Sequence, residues 1–146
     1  MNLTDYTKET LRGLQGVIVV VEGIREDAEA DGLKTEDLQT HVELILLKAG
    51  LRVLPHDEWR TVPGRPWLYV SVNTIRYLAS YFFSIDVQLK QDVSLVRAPD
   101  IRSSSSTWEL GSIGFVDPAG LCPKIWDSVD NYLDRFITDF RAANEA

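Results

Sequence analysis

From Tyr81 to Arg97 the chain gives its strongest strand alternation. Phe83, Ile85, Val87, Leu89, Val93 and Leu95 point one way, and Ser84, Asp86, Gln88, Lys90, Asp92 and Ser94 point the other. A period of two puts every apolar side chain on one face of a strand. The segment therefore calls for a sheet with one face against a core and the other wet. It exceeds the usual strand length, which predicts that it bends or pairs as two segments.

The neighbouring segments extend the sheet. Trp67 to Thr74 alternates too, with Leu68, Val70 and Val72 on one face and Trp67, Tyr69, Ser71 and Asn73 on the other. Thr107 to Phe115 reads as a last strand, in which Gly111 and Gly114 mark a bulge or a close backbone approach. Ala98 to Ser106, with Pro99 and four consecutive serines, reads as a loop. Leu51 to Leu54 is a short strand stopped by Pro55. Val17 to Val21 is β-branched almost throughout and lacks polar alternation, which predicts cover on both faces.

Two long helices complete the pattern. Thr35 has the character of an N-cap, followed by Glu36 and Asp37 in the first turn. Leu38, Val42, Ile45 and Ala49 then form an apolar stripe, and Gly50 ends the helix. Leu44, Leu46 and Leu47 add apolar surface, with Leu47 nearly opposite the stripe. That surplus points to a second contact layer or a subunit interface. The final helix is expected from about Pro123 to Ala143, burying Ile125, Val129, Leu133, Phe136, Ile137 and Phe140. A short helix is expected within Thr4 to Leu14.

The order β-α-β-β-β-β-α implies one α+β domain over residues 1–146. It has a mixed, largely antiparallel sheet of about five strands, with two long helices on one face.

Charge narrows the partners. Lys and Arg number 15 against 22 Asp and Glu, a formal charge of −7. That balance disfavours nucleic acid and anionic membrane surfaces. The longest purely apolar run, Val17 to Val21, is far too short to cross a membrane. The single cysteine, Cys122, has no partner for an intramolecular disulfide, which suits a reducing cytoplasm and equally an exported protein. The N-terminus carries no signal-peptide pattern. The chain is expected to be periplasmic or exported if a leader was removed, and cytoplasmic otherwise.

No motif announces chemistry. Asp27, Glu29, Asp31 and Gly32 imitate the first half of an EF-hand loop, but the twelfth position, where a bidentate Glu belongs, is Leu38. His56, Asp57 and Glu58 stand together, yet His41 and Cys122 are too distant in sequence to read as one zinc site. His41 borders an apolar stripe, where a packed, hydrogen-bonded imidazole is expected. Cys122 lacks a local base and reads as a small packed residue. Gly111-Ser112-Ile113-Gly114 is not a nucleophile elbow. No metal or cofactor is expected.

Leu11 to Glu22, Val42-Glu43-Leu44, Lys48-Ala49-Gly50, Tyr69 to Asn73 and Thr107 to Gly111 resemble a family of small bacterial proteins, often made with an export signal and without an assigned activity. The resemblance spans most of the chain. It implies the α+β fold and export, and it transfers no functional residue. The element order also resembles the N-terminal domain of the periplasmic protein TolB, an analogy of fold alone.

The functional expectation is a non-catalytic binding or assembly module of the bacterial envelope, with a protein partner or a second copy meeting Leu44 and Leu47 or the sheet. The alternative is a small-molecule binder or small enzyme with an aromatic-lined pocket near Trp67, Tyr69 and His56.

Overall fold

The fold is that of a computed structural model describing residues 3–145. Five strands, β1 (Gly16–Glu22), β2 (Arg52–Val53), β3 (Trp67–Tyr77), β4 (Ser80–Leu95) and β5 (Ala98–Val116), form one sheet in the order β2-β1-β3-β4-β5. β1 runs parallel to β2 and β3, and β3, β4 and β5 are antiparallel neighbours. The helices are α1 (Leu3–Glu9), α2 (Glu26–Ala30), α3 (Thr35–Lys48), α4 (His56–Trp59) and α5 (Leu121–Asn144). The chain is the expected α+β domain, with α3 and α5 side by side on one face of a mixed sheet.

The core lies between that face and the two helices. Leu68, Val70 and Val72 of β3 and Phe83, Ile85, Val87 and Leu89 of β4 meet Leu38, Val42 and Leu46 of α3 and Leu121, Ile125, Val129, Leu133 and Phe136 of α5. Each such burial contributes about 1.5–3 kcal/mol relative to exposure. The stripe expected on α5 is buried except for Phe140, which is only partly so, and the helix starts at Leu121, so that Pro123 lies within its first turn. On α3 the fully buried set is Leu38, Val42 and Leu46, while Ile45 is only half-buried. His41 is packed as expected. Its Nε2 lies 2.5 Å from Asp130 Oδ1, and its ring centroid is 4.4 Å from that of Trp126.

Four local expectations change. Thr35 is the first residue of α3 rather than its cap: its backbone N–H and hydroxyl both donate to Glu29 Oε1, so a carboxylate from α2 does the capping. β1 is covered unequally: Val17, Val19 and Val21 are buried towards the long helices, while Ile18 and Val20, on the opposite side, stay half-buried. The serine run is not a loop: Ala98 to Ser106 forms the first half of β5, and only Val96 and Arg97 turn the chain. Serines carry no apolar signal, but their backbone groups pair with the second half of β4 as well as any others. Finally, β3 extends to Tyr77 and meets β4 through a two-residue turn, Leu78-Ala79, whose first residue has a left-handed φ of 56°.

β4 does pair as two segments. Up to Lys90 it lies between β3 and β5; beyond Lys90 it pairs with β5 alone. A register shift between Leu89 and Lys90 leaves Thr107 as an extra residue in β5. The remainder, Gln91–Leu95 with Ala98–Ser106, is a two-stranded arm that runs past the sheet.

Candidate functional site

The face of the sheet turned away from α3 and α5 is bare. α1 does not cover it, since it packs against α5 and β5 on the helical side. Strand register builds this face row by row. Trp67 pairs with Lys90, Tyr69 with Gln88, Ser71 with Asp86, Asn73 with Ser84 and Ile75 with Phe82. Across β4, Gln88 pairs with Glu109, Asp86 with Gly111, Ser84 with Ile113 and Phe82 with Phe115.

The two ends of the face differ in chemistry. At one end the Lys90 ammonium lies 5.2 Å from the Trp67 ring centre and 4.9 Å from that of Tyr69, so the chain's own cation occupies the position over both rings. The Tyr69 hydroxyl donates to Glu22 Oε2 at 3.0 Å. Partial burial, and then that carboxylate, push the Tyr69 phenol above its ordinary range. The middle is polar: Ser71, Asn73, Ser84, Asp86 and Gln88.

The far end is apolar. Ile75, Phe82, Ile113 and Phe115 enclose a shallow groove of about 540 Å³. Ile113 is 86% exposed and Phe115 74%. A contiguous apolar surface of this kind marks an interaction site more often than a scatter of single residues does.

The residues singled out from sequence fall in three places. Trp67 and Tyr69 are neighbours on the bare face, with ring centroids 5.3 Å apart. His56 is on α4 with its ring against Trp59, and among the described residues no hydrogen bond or ring contact joins it to Trp67 or Tyr69. Leu44 and Leu47 lie on the outer side of α3, about half exposed. The apolar end of the sheet escaped the sequence reading. Ile75, Phe82 and Phe115 belong to three strands, and only the register puts them in one row.

The acidic loop is engaged in structural bonds. Asp31 Oδ2 accepts from the Tyr81 hydroxyl at 2.5 Å and from Arg76 at 3.2 Å, and Glu29 holds Thr35. Among the described residues there is no group of three or more His, Cys, Asp or Glu side chains placed to hold a metal ion. The Cys122 thiol is pushed up by burial and then by the charge of Asp31, the direction opposite to that of an activated nucleophile. Among the described residues, no helix is long and apolar enough to cross a membrane.

Searches against protein-family models, curated proteins and solved structures returned no match to this chain.

Proposed function

We propose that this chain is a non-catalytic assembly module of the bacterial envelope, and that its bare sheet face, with the β4–β5 arm, is the working surface. The observation that carries the reading is the apolar end of that face. Ile75, Phe82, Ile113 and Phe115 converge in one groove, on the side of the sheet away from α3 and α5. Leaving these side chains in water forgoes the burial that drives both folding and association. The envelope setting comes from the likeness of Leu11–Glu22 and Thr107–Gly111 to exported bacterial proteins.

The rival reading, a small-molecule pocket near Trp67, Tyr69 and His56, has less support. Lys90 already lies over both rings, and His56 rests on Trp59.

Sedimentation velocity over a concentration series tests the assembly reading. The wild type is expected to self-associate, and Ile113→Asp with Phe115→Ser to shift it towards monomer without loss of secondary structure. A wild type that stays monomeric throughout would overturn the reading.

A further inference from the structure

We propose that two copies of this chain join through the free edges of their β5 strands, centred on Ser105, so that the arm of each copy lies along the sheet of the other. The inference rests on the assembly reading and names the surface and register that the reading leaves open.

β5 is the outer strand of the sheet and is 19 residues long. Long edges are normally blunted by lysine, proline or an overlying element. From Arg102 to Val116 this edge has no lysine and no proline, and its only charges are Arg102 and Glu109. The Thr107 bulge interrupts this stretch, and a second register shift, from Ser94–Arg102 to Leu95–Ala98, bounds it at the arm's end. The arm is a second sign. Beyond Lys90 no third strand among the described residues lies beside it; its base is anchored where Asp92 N–H donates to Gly64 O, Arg65 pairs with Asp92 and Gln91 Nε2 donates to Thr10 O. A two-stranded ribbon is marginal without a surface to rest on.

Two identical edges pair antiparallel about a twofold axis. The β4–β5 ladder already steps over Thr107, matching Leu89 with Trp108 and Lys90 with Ser106. If the second copy steps over the same residue, an axis through Ser105 pairs Ser104 with Ser106, Ser103 with Trp108 and Arg102 with Glu109. Each pair shares a face, because the bulge shifts the alternation by one. Arg102 and Glu109 are both exposed on the bare face, and among the described residues Arg102 has no carboxylate of its own chain within ion-pair distance. The same register makes two opposite-charge pairs, one on each side of the axis, and no like-charge pair.

Charge reversal tests the register. Arg102→Glu and Glu109→Arg, made singly in the full chain, should each weaken self-association about tenfold, since each creates two like-charge cross-strand pairs. The double reversal should restore it. Ser105→Cys in a Cys122→Ser background should form a disulfide-linked dimer on mild oxidation, whereas Ser112→Cys in the same background should not. Self-association that ignores the single reversals and gives no Ser105→Cys cross-link would overturn this register while leaving the assembly reading standing. A wild type that is monomeric at every concentration would overturn both.

Discussion

The indole N–H of Trp108 donates to Asp139 Oδ2 at 3.0 Å, joining β5 to α5 inside the protein. Both residues are buried, so the pair is a buried polar link between the outer strand and the long helix, alongside the more exposed Tyr132–Ser112 bond. Lys8 and Arg135 approach the other carboxylate oxygen at 4.0 and 3.8 Å, too far for strong bonds. Asp139→Ala should cost about 2–3 kcal/mol, because it strands the Trp108 N–H away from water. Asp139→Asn keeps an acceptor and should cost less than half of that. Urea unfolding followed by tryptophan fluorescence separates the two, and equal losses would mean that the charge, rather than the hydrogen bond, matters.

Thr74 shows the reverse situation. Its hydroxyl is buried on β3, opposite Phe83, with no hydrogen-bond partner among the described residues. Thr74→Val keeps the shape and removes the orphan group, which should raise stability by about 1 kcal/mol. A lower denaturation midpoint would show that the hydroxyl has a partner after all.

Leu78 spends free energy twice, being left-handed at φ 56° and 82% exposed. Leu78→Gly should relieve the backbone at a small entropic cost, for a net gain of about 0.5 kcal/mol in thermal unfolding. If Leu78 belongs to the assembly surface, the same variant should associate more weakly while being the more stable fold.

Stability should fall at alkaline pH. The Tyr81 phenol is pushed above its ordinary range by burial, and then by its hydrogen bond to Asp31. The folded chain therefore holds this proton more tightly than the unfolded chain. The contribution is fully present below the ordinary tyrosine range and is lost as pH rises through the folded value. Denaturant midpoints measured across that range should drop for the wild type. They should drop less steeply for Tyr81→Phe.

Acid should act through Glu29. Its carboxyl is held below the ordinary range by the hydroxyl and then the backbone N–H of Thr35, so its contribution is present above that range and lost as pH falls through the folded value. Glu29→Gln should flatten that part of the profile. An unchanged profile would mean that the cap on α3 is not felt.

The alternation of β3 and β4 was legible because a strand repeats every two residues, and burial of one face makes that repeat visible in the sequence. The stripe of α5 was legible for the same reason at helical period. The serine half of β5 was not. Solvated on both sides, Ser103 to Ser106 carry no apolar periodicity, and their place in a strand is decided by the backbone of β4. The unequal cover on β1 was not legible, because an unbroken β-branched run records apolar character on both faces, not what stands beside each face.

Sequence alone therefore determined the two long helices, the order of the strands and the core-facing side of β3, β4 and α5, since these follow from local period and burial. Tertiary structure decided that Ile75, Phe82, Ile113 and Phe115 share one groove, that Trp67 and Tyr69 lie under Lys90, and that β5 ends the sheet. Those facts depend on strand register and on which side the helices pack, and both are set by contacts between residues far apart in the chain.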